Sequence, residues 1–254
     1  MMKNIFYRLL ECYSLNASGG LFILLLLIAP VNLSAQPGFM IYADCAQTVI
    51  SDGLYMRSAY FGNYELGDYR LNAGIQTNLI NRNDINLSGY CIEALRAFKI
   101  KKTQIELKGF WLWTASSEFL KEINYGGLVS MNLNHFNMKI GTNFRTYSFR
   151  RKALRIYEIR NKENRVHEIL NVMYSFSYNI KSSDCKWNAG LRLTNMDLFM
   201  INQETNPYIN LNGYFKVSSR VSLFAEVWYK SAGATNLNSN YFGYLMRGGI
   251  KWNF

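Results

Sequence analysis

Apolar and polar residues alternate one by one along most of the chain, and the final segment shows this pattern most clearly. From Phe242 to Phe254, every second residue is aromatic, aliphatic or glycine, while Arg247 and Lys251 fall on the other face. Because a β-strand points successive side chains to opposite faces, the alternation predicts a strand with one apolar face. That face is long enough to cross the apolar band of an outer membrane, which takes ~10 tilted residues.

The same alternation recurs upstream and predicts an all-β protein of about twelve strands. The predicted strands are 41–50, 54–65, 68–80, 84–97, 102–114, 121–133, 135–149, 166–180, 185–199, 207–218, 220–232 and 240–254. The first is the least regular, since Ala43-Asp44-Cys45-Ala46-Gln47 does not alternate cleanly. In the second half of the chain, short and long connections follow one another, which is typical of an antiparallel up-and-down transmembrane β-barrel.

The N-terminal segment has the composition of an export signal. Cations within the first eight residues precede the apolar stretch Leu21–Ala29, which is too short to span a bilayer, and the small residues Ser34-Ala35 follow. We therefore predict a cleaved signal peptide over 1–35 and a barrel over 36–254. The alternative is an uncleaved anchor helix.

Composition narrows the partners of such a barrel. Aromatic residues make up 15% of the 254 residues, only 3 are Pro, and the formal net charge is +11. The aromatic share favours strands over helices. A basic chain often binds nucleic acid, but an exported one is expected to meet lipid head groups, lipopolysaccharide phosphates or anionic solutes instead.

The cysteines indicate neither a disulfide framework nor a metal site. Cys45, Cys91 and Cys185 follow the signal, so at most one intrachain disulfide is possible. Because the sequence has no CxxC motif, no Cys/His cluster and no nucleotide-binding loop, it predicts neither a metal nor a cofactor.

The ending Ile250-Lys251-Trp252-Asn253-Phe254, with the export signal and the alternating strands, resembles the small outer-membrane β-barrel proteins of Gram-negative bacteria. Proteins of that group typically end in an aromatic residue, usually Phe, with apolar residues at alternate positions before it. The resemblance implies a location in the cell outer membrane. It also implies that Trp252 and Phe254 belong to a signal read by the barrel assembly machinery. The alternative is a secreted β-sandwich or a lipocalin-like barrel, whose apolar faces would point inward.

If the apolar faces meet lipid, the opposite faces line a lumen that is mostly cationic. The inward cations are then Arg57, Arg70, Lys108, Lys139, Arg145, Lys186, Arg192, Lys216, Lys230, Arg247 and Lys251, and the inward acids are Glu65, Asp68, Glu106 and Glu226. Glu226 is expected to neutralise Lys216 or Arg247 on a neighbouring strand. The remaining excess of cations predicts a small pore that favours anions.

The alternative to a pore is a closed barrel whose cations are paired and packed among inward apolar side chains. Those side chains are Phe110, Leu112, Tyr214, Phe224 and Trp228. Barrels of ~8 strands are filled by side chains and barrels of 16–18 strands leave a channel, so twelve strands permit either state.

The longest predicted outer loop, 150–165, is also the most basic. Its candidate anion contacts are Arg150, Arg151, Lys152 and Arg155. Arg binds phosphate through two parallel hydrogen bonds, so lipopolysaccharide or an anionic partner is expected to bind there. The alternative is a solvated charged loop.

The sequence predicts that the protein is not an enzyme. His135 lies near a predicted periplasmic turn, and His167 lies near the outer rim beside Glu168, where Asp197 of the next strand could approach it. Neither the His-x-Ser arrangement of outer-membrane lipid A deacylases nor the Asn-His-x-Ser-Asn-Gly stretch of the phospholipase type is present. A lipid hydrolase at the outer rim that uses His167 is the remaining alternative.

Overall fold

A computed structural model shows that the chain forms a closed β-barrel. The structure describes residues 35–48, 54–80, 87–100, 103–114, 120–149, 166–184, 186–201, 207–230 and 242–254. The strands are β1 Ala35–Thr48, β2 Leu54–Leu66, β3 Tyr69–Ile80, β4 Leu87–Ile100, β5 Thr103–Thr114, β6 Leu120–Leu133, β7 Phe136–Phe149, β8 Val166–Lys181, β9 Trp187–Thr194, β10 Tyr208–Lys216, β11 Val221–Lys230 and β12 Phe242–Asn253. Each strand pairs antiparallel with its neighbours in sequence, and β1 pairs with β12. The predicted fold class is therefore confirmed.

Two-residue turns join several strand pairs at one end of the barrel, which we call the short-turn end. Gly67 in the β2–β3 turn and Asn134 in the β6–β7 turn have positive φ angles of 58° and 51°. Glycine has no Cβ to clash in this conformation, and asparagine tolerates it better than other side chains. Ala35 and Asn253, where the barrel begins and ends, lie at the same end.

The connections at the opposite end contain five or more residues each, whereas those at the short-turn end contain two to five. The connections at the opposite end are 49–53, 81–86, 115–119, 150–165, 195–207 and 231–241. The asymmetry predicted for the second half of the chain therefore holds around the whole barrel, as in outer-membrane barrels.

Three predicted strands differ from the observed ones by three residues or more at one or both ends. β1 begins at Ala35 rather than at 41, and β4 lies three residues further along the chain than the predicted range 84–97. β9 ends at Thr194, because the residues that follow leave the wall and enter the lumen. The predicted signal peptide lies almost wholly outside the described residues and stays a prediction.

The wall of the barrel is apolar outside and polar inside. Outward side chains such as Ile140, Leu170 and Met246 are 61%, 60% and 65% exposed, whereas the inward Asn143 and Asn210 are fully buried. A secreted sandwich or lipocalin-like barrel would have the opposite arrangement, so that alternative is wrong. An apolar outer band on a closed barrel is the arrangement that a membrane-spanning barrel requires. The described residues contain no helix that is long and apolar enough to cross a membrane.

Candidate functional site

The lumen contains a short piece of chain, residues 195–201, which we call the inserted segment. Met196 and Ile201 form an antiparallel bridge, and the backbone N–H of Asp197 donates to the carbonyl oxygen of Met200 at 2.6 Å. Phe199, Met200 and Ile201 are 1–3% exposed. The segment is therefore a compact hairpin-like turn that fills the interior rather than an extension of β9.

The start of the inserted segment is fixed to β8. The Asn195 side chain accepts a hydrogen bond from the backbone N–H of Tyr174 at 2.8 Å and donates to the carbonyl oxygen of Val172 at 2.8 Å. The Thr194 hydroxyl donates to the carbonyl oxygen of Tyr174 at 2.8 Å. These bonds replace the ladder that β9 would otherwise continue, and they turn the chain inward.

Apolar side chains of the inserted segment pack against two groups on the wall. The Phe199 ring lies 5.1 Å from the ring of Phe61, within a cluster that the inward aromatic residues form. Met200 belongs to a second cluster with Tyr208, Trp228 and Leu245. The lumen thus has an apolar core of its own, which a wide water-filled channel would not have.

Arg247 on β12 is the centre of a buried charge cluster. Its Nε and Nη2 donate to the two carboxylate oxygens of Asp44 at 2.6 and 3.1 Å. Its Nη1 donates to Glu226 at 3.4 Å, and its Nη2 also donates to Asp197 of the inserted segment at 2.7 Å. Because a buried charge needs partners, one guanidinium binds together β1, β11, β12 and the inserted segment.

Aromatic side chains enclose this cluster. The Arg247 guanidinium lies 4.1 Å from the ring centre of Tyr42 and 5.5 Å from that of Trp228. Trp228 Nε1 donates to Glu226 at 2.9 Å, and the Tyr214 hydroxyl donates to the same carboxylate at 3.2 Å. The cluster is therefore held by ion pairs, by cation–π contacts and by hydrogen bonds from neutral donors to a carboxylate.

Two further cations of the lumen are paired. Arg145 donates from Nε and Nη2 to the carboxylate of Glu122 at 2.7 and 3.1 Å, and both side chains are 1% exposed. Lys108 donates to Glu93 at 2.6 Å. A paired cation presents little net charge to a solute, so these residues do not act as an anion-attracting ring.

Lys139 and Arg192 face the same lumen in a different state. Each lies on the inward face of its strand, opposite Ser175 and Ser177 of β8 respectively. Within the described part of the chain, neither has a carboxylate at ion-pair distance, and Arg192 lies over the Trp228 ring at 5.8 Å. Among the described residues, these two cations contribute unneutralised charge to the inner lumen.

The other predicted lumen residues are placed as follows. Arg57 is buried and donates to Asn78 at 3.1 Å, Glu106 accepts from Ser130 at 3.0 Å, and Lys230 is 7% exposed.

Arg70 pairs with Glu65 at 2.7 Å beside the short-turn end, and both side chains are about 40% exposed. Lys186 lies in the exposed β8–β9 turn beside Asp184, outside the strands. Lys216 lies opposite Ser222, not Glu226, and is exposed at the short-turn end with Lys251. Of the two expected partners of Glu226, the structure pairs Arg247 alone.

The sequence interpretation missed four inward acids. They are Asp44, Glu93, Glu122 and Asp197. Glu93 and Glu122 occupy inward positions of predicted strands, so strict application of the alternation could have found them, whereas Asp44 lies in the segment that does not alternate cleanly. Asp197 carried no such signal, because its segment was predicted to be a strand reaching the outer rim near His167. The cationic excess of the lumen is consequently smaller than the sequence predicts.

A small cavity remains beside the inserted segment. Its lining includes Glu93 and Lys108 from the wall and Met196, Asp197 and Leu198 from the segment. Cys91 also lines it, and both Cys91 and the outward-facing Cys45 are free thiols. The cavity is lined by charged and apolar side chains together.

Several predicted sites lie outside this region. Arg150, Arg151, Lys152, Arg155 and Cys185, together with the side chain of His167, lie outside the described residues. His135 lies at the short-turn end, where its Nδ1 forms a hydrogen bond with the carbonyl of Asn179 at 3.0 Å. Trp252 and Phe254 face outward at 47% and 59% exposure with stacked rings. The described residues contain no group of His, Cys, Asp and Glu that could hold a metal ion.

A closed antiparallel barrel with a lipid-facing apolar band and a polar lumen defines the class of outer-membrane β-barrel proteins. The KdgM porin has this fold, with a TM-score of 0.51 and 12% identity over 85% of this chain and 99% of that one. The COG4313 outer-membrane channel from Pseudomonas putida F1 gives 0.48 and 8% over 89% of this chain and 100% of that one. Outer membrane phospholipase A from Escherichia coli gives 0.46 and 6% over 87% and 98%.

No protein-family profile and no curated protein matches the chain. Likeness at these identities shows the fold alone, so function has to be argued from the lumen itself.

Proposed function

We propose that the protein is an outer-membrane channel whose lumen is closed by the inserted segment and opens when that segment leaves. The observation that carries this proposal is the contact between Asp197 and Arg247 at 2.7 Å, which attaches a connection between two strands to the barrel wall. The segment is held inside the barrel by this ion pair, by local hydrogen bonds and by the packing of Phe199 and Met200 against the wall, and such a segment would act as a gate.

The charge cluster permits the segment to leave without stranding a buried cation. When Asp197 is withdrawn, Arg247 keeps the two-point contact with Asp44 and the contact with Glu226. Removing the only partner of a buried charge is strongly unfavourable, whereas removing one of three is much less so. The arrangement therefore supports a closed state that can open, in preference to a permanently filled barrel.

The ion selectivity of the open state would depend on the unpaired cations. Lys139 and Arg192 face the lumen without carboxylate partners among the described residues, and Lys216 and Lys251 lie at the short-turn end. An anion preference is therefore expected, weaker than the sequence alone predicts because Arg145, Lys108 and Arg247 are neutralised.

The orientation and partners belong to the same proposal. The apolar outer band and the predicted signal peptide support an outer-membrane location, and short turns face the periplasm in such barrels. Contact of loop 150–165 with lipopolysaccharide, and recognition of Trp252 and Phe254 by the assembly machinery, stay predictions.

Single-channel recording in planar bilayers tests the gate. The mature chain, 36–254, would be refolded in detergent, checked for heat-modifiable gel mobility, and compared with Asp197→Asn. This substitution keeps the size of the side chain and removes the charge that binds Arg247. A hydrogen bond to a charged group contributes about 1.5–3 kcal/mol, so we expect the open probability to rise about tenfold or more.

Asp184→Asn is the matched control, because it removes one acid from an exposed turn whose contact with Lys186 is 3.8 Å long. It should behave like the unmodified protein. Deletion of residues 196–201 should give a barrel that conducts steadily. If both lumen variants fold and neither conducts, the gate is excluded and the closed barrel that binds partners through its outer loops becomes the better account.

A further inference from the structure

One charged side chain lies on the lipid-facing side of the wall near the short-turn end. Along β4, Cys91 and Glu93 face the lumen, so Ile92 and Arg96 face outward. In the strands as described, the other outward positions at this end are apolar, aromatic, small or hydroxyl residues. An arginine in such a band requires an explanation, because charged side chains facing lipid are unfavourable except near the interface.

The depth of Arg96 corresponds to a membrane interface. It pairs in register with Tyr69, the first residue of β3 after the Gly67-Asp68 turn. The backbone N–H of Ala97 donates to the carbonyl oxygen of Asp68 at 2.8 Å, so the turn lies directly beside it. Arg96 therefore lies where lipid head groups begin, at the level at which aromatic side chains form an interfacial girdle.

Two aromatic rings hold the guanidinium in place. Its central carbon lies 5.0 Å from the ring centre of Tyr69 and 4.8 Å from that of Phe98. An arginine that merely reached into water would keep its rotational freedom. Contacts with two rings instead fix the plane of the guanidinium and leave its edge for a ligand with two acceptor oxygens.

Two hydrogen-bonding atoms of this site lack partners. Arg96 Nε and the Tyr69 hydroxyl are both buried without a hydrogen bond, and Arg96 has no ion pair with any described carboxylate. Buried polar groups without partners are rare and indicate a ligand or water. Both atoms are covered by neighbouring protein atoms, so an anionic acceptor at the lipid face would satisfy them once the Arg96 and Tyr69 side chains turn outward.

We propose that Arg96, Tyr69 and Phe98 form a binding site for the phosphate of a phospholipid in the leaflet beside the short turns. The guanidinium would bind two phosphate oxygens, the Tyr69 hydroxyl would donate to the phosphate, and the acyl chains would lie along the outward apolar residues. The site is independent of the proposed channel, since it lies on the opposite face of the wall.

Native mass spectrometry of the refolded barrel tests this site. The probes are phosphatidylglycerol, diacylglycerol with the same acyl chains but no phosphate, and inorganic phosphate. Arg96→Gln is compared with Arg220→Gln, which removes the same charge from an exposed turn at the same end. Tyr69→Phe removes the hydroxyl alone and keeps the ring.

We expect the unmodified barrel and Arg220→Gln to retain phosphatidylglycerol and to retain little diacylglycerol. Arg96→Gln should lower the retained phospholipid about tenfold, since it removes charge-assisted bonds, and Tyr69→Phe should lower it about threefold. All variants are first checked for heat-modifiable mobility.

Equal retention of phosphatidylglycerol by Arg96→Gln and Arg220→Gln would overturn the site. So would diacylglycerol bound as well as phosphatidylglycerol, because then the phosphate is not recognised. If inorganic phosphate displaces the lipid and itself depends on Arg96, the ligand is free phosphate and the lipid assignment is wrong. None of these results depends on conductance.

Discussion

Arg247 and Arg96 occupy opposite faces of the same barrel wall, and their surroundings differ in kind. Arg247 faces the lumen, where three carboxylates bind it and its side chain is 3% exposed. Arg96 faces lipid, with two aromatic rings beside it and no carboxylate among the described residues. In the lumen, the protein supplies every partner of the charge. On the lipid face, the protein supplies only the rings and leaves the partner to the membrane.

This difference shows how a buried charge is stabilised in two surroundings of low dielectric constant, the lumen and the lipid-facing side of the wall. Inside, a cation without partners would be stranded, so Arg247 needs acids from β1, β11 and the inserted segment at once. Outside, head groups and interfacial water lie within reach of Arg96, which lowers the cost of leaving it unpaired. The two arginines should therefore differ greatly in their contribution to stability.

The largest effect is expected when each arginine is replaced by methionine. Arg247→Met leaves Asp44, Asp197 and Glu226 buried without a cation, which should lower the free energy of unfolding by about 3–5 kcal/mol. Arg96→Met removes a cation near the interface and should change it by about 0–1 kcal/mol. Equilibrium denaturant unfolding in phospholipid vesicles measures both, and equal losses would contradict the comparison.

A second ion pair of the lumen tests the cause of that loss of stability. The cause is either the carboxylate that remains unpaired or the absence of the arginine side chain itself. Arg145→Met removes the two-point ion pair of the buried Glu122 and should lower the free energy of unfolding by about 3 kcal/mol. The double variant Arg145→Met with Glu122→Leu removes both charges and should recover most of the loss, because an apolar pair of similar volume can replace a buried ion pair. A double variant as unstable as the single one would show that packing, rather than the stranded carboxylate, is responsible.

The sequence predicts the position of a side chain where the alternation of apolar and polar residues is enough to determine it. The regular alternation of β12 predicts both the lipid face of Met246 and the inward position of Arg247. The same rule applies to β1, yet Asp44 interrupts an otherwise apolar stretch, and its purpose is visible only beside Arg247, 203 residues away. Local patterns cannot report a partner at that separation.

The alternation of apolar and polar residues does not predict the inserted segment. Residues 195–199 continue the composition of β9 closely enough to be predicted as strand, but Asn195 binds the backbone of β8 and turns the chain inward. Arg96 is a milder case, since alternation places it outward, but only the rings of Tyr69 and Phe98 show why it is tolerated there.

The smallest expected effect is on ion selectivity. It concerns the cations that face the lumen without a carboxylate partner, unlike Arg247, and that do not face lipid, unlike Arg96. Lys139 faces the lumen without a carboxylate at ion-pair distance among the described residues, whereas Lys108 is bound to Glu93 at 2.6 Å. In the Asp197→Asn background, Lys139→Gln should lower the ratio of anion to cation permeability about twofold. A unit charge ~8 Å from an ion in water contributes about 0.5 kcal/mol. Reversal potentials in a salt gradient measure the ratio.

The matched control is the double variant Lys108→Gln with Glu93→Gln, which removes a cation and its acid together and leaves the net charge of the lumen unchanged. It should leave the reversal potential unchanged, because the electric field of an ion pair is weak at a distance. If the neutral double variant shifts selectivity as much as Lys139→Gln does, then selectivity follows the shape of the lumen and not its unpaired charge. In that case the distinction between bound and unbound cations would apply to stability alone.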